Sequence, residues 1–145
     1  MMSEGYFTET AIPSRLGACL AGNRRIPVTM HTAIGANRDV SALAVQVACD
    51  GADRLATDPR RVSVLLIGHG AKTNERARET IEQHAAVMRA KRLFKQVDTA
   101  YLEEPPFLDD AASRVRWPTI AVGMFVSDGL HAGEDVPGFL KQAPD

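Results

Sequence analysis

The stretch Val62 to Ile67 leads directly into Gly68-His69-Gly70, and it constrains the fold more than any other part of the chain. A strand with one wet face alternates apolar and polar residues. This one does not, so it must be buried on both faces, as the central strands of a parallel sheet are. A parallel neighbour needs a crossover, and the residues that follow supply one. Ala77, Ile81, Ala85 and Met88 recur at helical spacing, with Arg76, Arg78, Glu79 and Glu82 on other faces. Val97 to Leu102 reads as a second strand, Leu108 to Val115 as a short helix closed off by Trp117-Pro118, and Thr119 to Val126 as a third strand. This is the rhythm of right-handed βαβ units with short connections.

The first third of the chain predicts a helix from about Pro13 to Leu20, a strand from Ile26 to Thr32, and an amphipathic helix marked by Val40, Leu43, Ala44, Val47, Ala48 and Leu55. The 26–32 strand is expected beside the 62–67 and 119–126 strands in one sheet. The polar stretch 56–61 is the one convincing linker, and its shortness predicts close packing across it. An internal repeat overlies this pattern. Without a gap, Ser3, Gly5, Ile12, Pro13 and Leu16 align with Ser127, Gly129, Val136, Pro137 and Leu140, and Glu4 with Asp128. Phe7 stands where the second copy has His131.

A length of 145 residues suits one domain with a proper core. A net charge of −1 gives no electrostatic case for nucleic acid or an acidic membrane surface. No apolar run approaches the roughly 20 residues that span a bilayer, and the N-terminus lacks the features of a signal peptide. Cys19 and Cys49 are not in a metal-ligand spacing and are expected to be buried thiols in a reducing cytoplasm.

In an open parallel sheet the carboxyl ends of neighbouring strands share one crevice, where ligands bind. Three strand ends carry polar groups there: His69 after the first, Glu103 and Glu104 after the second, His131 after the third. Two imidazoles and a carboxylate suit a borderline divalent ion such as Co²⁺, Fe²⁺, Ni²⁺ or Zn²⁺. The glycines flanking His69 would let backbone and ligand approach closely. Of the remaining histidines, His31 reads as a structural residue near a strand end, and His84 is expected on the exposed side of its helix. An α/β-hydrolase reading finds no Gly-x-Ser-x-Gly elbow in the chain.

The segments "LLIGHGAKTNERA", "VDTAYLEEP" and "AVGMFVSDGLHAGEDVPGFL" together resemble the sirohydrochlorin cobaltochelatase/ferrochelatase family, the class II tetrapyrrole chelatases. The resemblance runs from about 62 to 140. It implies a chelatase-like three-layer α/β fold with a mainly parallel sheet flanked by helices. Residues 1–57 resemble the C-terminal part of a first chelatase repeat, and 58–145 the N-terminal part of a second. The resemblance implies a lyase of cobalamin and siroheme biosynthesis that inserts Co²⁺ or Fe²⁺, with Ni²⁺ or Zn²⁺ as further candidates, into a metal-free tetrapyrrole. The metal is a substrate, and no organic cofactor is expected. His69 and His131 become the metal-facing histidines and Glu103 the strand-end carboxylate, the three forming the candidate catalytic set. Arg76 and Arg78 are candidates for the tetrapyrrole carboxylates. Where the family usually places a small hydroxyl residue after His-Gly, this chain has Ala71. The alternative is a non-catalytic relative that binds metal or tetrapyrrole without turnover. The expected partner is a tetrapyrrole, with neither nucleic acid nor membrane, and self-association into a homo-oligomer is left open.

Overall fold

A computed structural model describes residues 5–21, 27–72, 76–115, 118–126 and 131–140. Its centre is a three-stranded, all-parallel sheet of β1 (Ser63–Gly68), β2 (Gln96–Tyr101) and β3 (Thr119–Gly123), in the order β2-β1-β3. The apolar 62–67 run is thus the middle strand. Val64 and Leu66 face one layer and Leu65 and Ile67 the other, all four fully buried.

Helices α2 (Asp39–Arg54) and α3 (Arg76–Lys91) cover the first face. There Ala44, Ala48, Ile81, Ala85, Met88, Phe94 and Val97 close over Val64, Leu66 and Val122. Small residues on α2 let it approach closely: a Cβ on Gly51 would stand 2.9 Å from the Ile120 side chain. On the second face, α4 (Leu108–Arg114) and α5 (Val136–Phe139) contribute Leu108 and Val136, which pack on Leu65, Ile67 and Ala100. The result is the expected three-layer α/β arrangement.

The repeat in the sequence has a matching shape. Phe7–Ala11 forms a π-helical turn that runs into α1 (Ile12–Leu20), and His131–Asp135 forms the same turn before α5. Both pairs put proline at the start of the α-helical part, where its missing N–H costs nothing.

Three expectations fail. Pro27 to Thr32 is irregular and exposed and pairs with no strand; Ile26 lies outside the described residues. Proline removes a ladder donor at the start of the segment, and Val28 and Met30, which would share a strand face, bury too little to offset the ordering cost. Cys19 is exposed because α1 buries none of its residues, while Cys49 is half-buried, and that burial, with Asp53 and Asp50 nearby, raises its thiol pKa.

The third failure is His84, which is 3 % exposed rather than on a solvated face. Helical spacing in fact places it between Ile81 and Met88 on the core side of α3. Its Nε2–H donates to the Gly35 carbonyl at 2.6 Å, and Nδ1 accepts from the Ser41 hydroxyl at 2.7 Å. A carbonyl can only accept, which fixes the ring tautomer. The imidazole therefore ties the 3₁₀ turn Ile34–Ala36 and the start of α2 to α3.

Candidate metal centre

The carboxyl end of β1 is the middle of the sheet, so whatever follows it is flanked by the ends of β2 and β3. His69 is that residue. Its loop is laced to the segment leaving β2: the Leu102 N–H lies 3.2 Å from both the Gly68 and His69 carbonyls, and the Glu103 N–H donates to the His69 carbonyl at 3.0 Å. Backbone pairing thus brings the two strand ends together before any side chain contributes.

The side chains then meet. His69 Nε2 stands 3.7 Å from Glu103 Oε1, with the two side chains 46 % and 45 % exposed. That separation is too long for a hydrogen bond. It is close to the roughly 3.3–3.5 Å between two ligand atoms that each sit about 2.0–2.2 Å from one tetrahedral ion. Both side chains are about half-exposed, so solvent reaches the pair.

Glu104, the next residue, points elsewhere. Its Oε1 accepts the Ala71 N–H at 3.1 Å. The glycines around His69 leave room for close neighbours. A Cβ on Gly68 would come within 2.9 Å of Ile81 Cγ1 and 3.2 Å of Tyr101 Cδ1. Gly70 has φ +76°, and a Cβ there would lie 2.9 Å from Glu104 Cγ.

His131 opens the π-helical turn that precedes α5, on the connection leaving β3. Because β3 is the neighbour of β1, this connection departs beside His69, and Val136 returns it to the sheet. The His131 and Arg76 side chains lie outside the described residues. Among those residues no group of three histidine, cysteine or acidic side chains could hold a metal. Arg78 does reach the strand-end loop: its Nη1 donates to the Pro105 carbonyl at 3.3 Å and its guanidinium lies 5.9 Å from the Tyr101 ring centre. His31 is exposed and belongs to no strand.

A polar network beneath the loop was not anticipated. Thr99 Oγ1 and the Tyr101 hydroxyl both donate to Glu82 Oε1, at 2.6 and 3.2 Å, and Arg89 Nη1 stands 3.6 Å from Glu82 Oε2. Burial, reinforced by the Glu82 charge, pushes the Tyr101 phenol well above its usual pKa. The signal was available: Thr99 and Tyr101 point to the same face of β2, and Glu82 sits beside Ile81 on the helix that covers it. A hollow of ≈ 640 Å³ lined by Thr57, Asp58, Arg60, Arg61, Lys95 and Pro118 lies at the opposite, amino end of the strands and takes no part in this site.

A parallel sheet flanked by helices on both faces, with a histidine and a carboxylate at adjacent strand ends, places the chain among the three-layer α/β proteins. Within that class, the chain belongs to the CbiX family, whose sequence model matches residues 63–145. A Halobacterium salinarum protein named "Probable sirohydrochlorin cobaltochelatase" is 29% identical over an alignment of 158 residues, covering 94% of this chain and 53% of that protein. The solved structure of CbiX, described as the terminal enzyme for biosynthesis of siroheme in denitrifying bacteria, superposes with a TM-score of 0.82 at 24% identity, over 99% of this chain and 61% of that one. DR2241 from Deinococcus radiodurans, a multi-domain protein described as structurally similar to chelatases, gives 0.68 at 25% identity, over 97% and 32%. The chain therefore spans about half the length of the curated relative it matches. Among the described residues, no helix is long and apolar enough to cross a membrane.

Proposed function

We propose that the crevice above β1 and β2 takes a divalent ion and passes it to a tetrapyrrole of the sirohydrochlorin class. The observation that carries this reading is the pair His69 Nε2 and Glu103 Oε1, half-exposed and 3.7 Å apart at neighbouring strand ends. The name of the halobacterial relative favours Co²⁺, and the siroheme role of the CbiX structure favours Fe²⁺.

Metal insertion exchanges one divalent cation for two pyrrole N–H protons, so a site for it must hold the ion and then accept protons. A neutral imidazole can do both in turn. The Nε2 lone pair that holds the ion is released as the ion moves to the pyrrole nitrogens, and it can then take up a proton. Glu103, whose Oε1 faces the same nitrogen, can share the ion in the first stage and favours the imidazolium in the second. Its exposure lets the first proton pass on to water, after which the imidazole can take the second. His131, leaving the neighbouring strand, is the second metal-facing histidine in this proposal. Arg78 is held beside the loop by Pro105 and Tyr101 and offers further N–H donors to an acidic tetrapyrrole edge, with Arg76, two residues earlier on the helix, as its companion. In the same proposal, residues 1–57 are the close of one chelatase repeat and 58–145 the opening of the next, a division the paired π-turns at Phe7 and His131 support.

The test is anaerobic metal insertion into sirohydrochlorin, followed by the absorbance of the metallated product. The expected result is Co²⁺- or Fe²⁺-dependent product formation that His69→Ala abolishes. Tight metal binding with no product would instead identify a non-catalytic binder.

A further inference from the structure

The two glutamates after β2 are chemically identical and adjacent, yet they do different things. We infer that Glu104 is a positioning residue: it holds the Gly68-His69-Gly70-Ala71 turn in the shape that aims His69 at Glu103. This rests on the proposed role of His69 only for its metal-affinity consequence.

Glu104 Oε1 accepts the N–H of Ala71, two residues past His69, at 3.1 Å. A carboxylate acceptor makes this a charge-assisted bond, stronger than a neutral one. The side chain also lies flat against Gly70. A Cβ on that residue would be 2.9 Å from Glu104 Cγ, 3.0 Å from Oε1 and 3.1 Å from Tyr101 Cβ. Gly70 is therefore needed twice, for its φ of +76° and for the room it leaves Glu104.

Glycine makes that turn easy to form and easy to lose, so something must hold it. On the His69 side, backbone bonds from Leu102 and Glu103 fix the Gly68 and His69 carbonyls. On the far side, the hydrogen bond from the Ala71 N–H to Glu104 ties the turn to the β2 loop. The β2 loop is in turn anchored by Arg78 Nη1 on the Pro105 carbonyl at 3.3 Å. His69 thus sits between two fastened points. Releasing the second lets the Gly70 torsions relax and swings the imidazole relative to Glu103. Here the backbone N–H of Ala71, rather than any side chain at that position, secures the turn.

The experiment compares Glu104→Ala with Glu104→Gln in two measurements. Hydrogen exchange of the Ala71 amide is read by NMR in metal-free protein, and Co²⁺ affinity is read by calorimetry. Glutamine keeps an oxygen acceptor of the same reach and discards the charge. In Glu104→Ala the Ala71 amide should exchange about tenfold faster or more, and Co²⁺ should bind about tenfold more weakly. In Glu104→Gln both should stay within about threefold of wild type, since the hydrogen bond survives. Equal loss of Co²⁺ binding in both variants would overturn the inference, because a group acting as ligand or base cannot be replaced by an amide. Unchanged Ala71 exchange in Glu104→Ala would overturn it as well. Should the wild type fail to bind Co²⁺ while Ala71 exchange responds as described, the positioning inference stands and the proposed metal site falls.

Discussion

Replacing His84 with alanine should cost this protein a large part of its stability, although the residue is far from any proposed chemistry. The ring is buried and makes two hydrogen bonds, to the Gly35 carbonyl and the Ser41 hydroxyl. Removing it strands both partners, at about 1–3 kcal/mol for each buried group left unsatisfied. Ser41 can recover part of its share by turning its hydroxyl onto a carbonyl one helical turn back. The vacated volume adds a cavity cost of about 1 kcal/mol or more. The sum is about 3–4 kcal/mol, against a total of about 5–15 kcal/mol for a typical domain. Urea denaturation followed by circular dichroism should show a midpoint about 1–2 M lower, with the slope unchanged. Ser41→Ala alone should cost about 1–2 kcal/mol by orphaning Nδ1. The double variant should fall short of the two losses added together, because the shared bond is lost only once. A His84→Ala midpoint equivalent to less than about 0.5 kcal/mol of destabilisation, the range of an ordinary surface substitution, would refute this reasoning.

Other outcomes follow from single contacts. Tyr101 has a raised phenol pKa in the folded state, so its contribution is intact below the unfolded phenol value of about 10 and is lost as pH rises through the folded value. Stability measured above pH ~10 should therefore decline, and less steeply in Tyr101→Phe. Gly68→Ala should destabilise by about 1–3 kcal/mol through overpacking against Ile81 and Tyr101, read as a lower thermal midpoint. Gly70→Ala should cost a similar ~1–3 kcal/mol through its positive φ and displace Glu104, visible as faster Ala71 amide exchange.

How much of this could be read from the residues alone depended on whether the relevant partner was local. Val62 to Ile67 betrayed a central parallel strand because burial on both faces leaves a mark within the strand itself. The repeat likewise carried its own evidence, and the turns at Phe7 and His131 share one shape. The strand at 26–32 failed because pairing depends on a neighbour's position, which an apolar count does not encode, and Pro27 weakens any such ladder. The position of His84 is encoded in its spacing and not in its polarity: Ile81 and Met88 bracket it on the buried side. Its Ser41 and Gly35 partners come from a segment more than 40 residues away and leave no local trace. At the site, His69 and Glu103 were legible as strand-end residues. The division of labour between Glu103 and Glu104 was not, since it turns on which of two adjacent carboxylates meets the Ala71 amide.

The central claim is that the crevice at the carboxyl end of β1 binds a divalent ion through His69. Calorimetric titration of Co²⁺ into the wild type, His69→Ala and His131→Ala tests it most directly. The wild type should show a single site whose affinity falls by about 10-fold or more in His69→Ala, with His131→Ala nearly as impaired. Equal affinity in wild type and His69→Ala would contradict it.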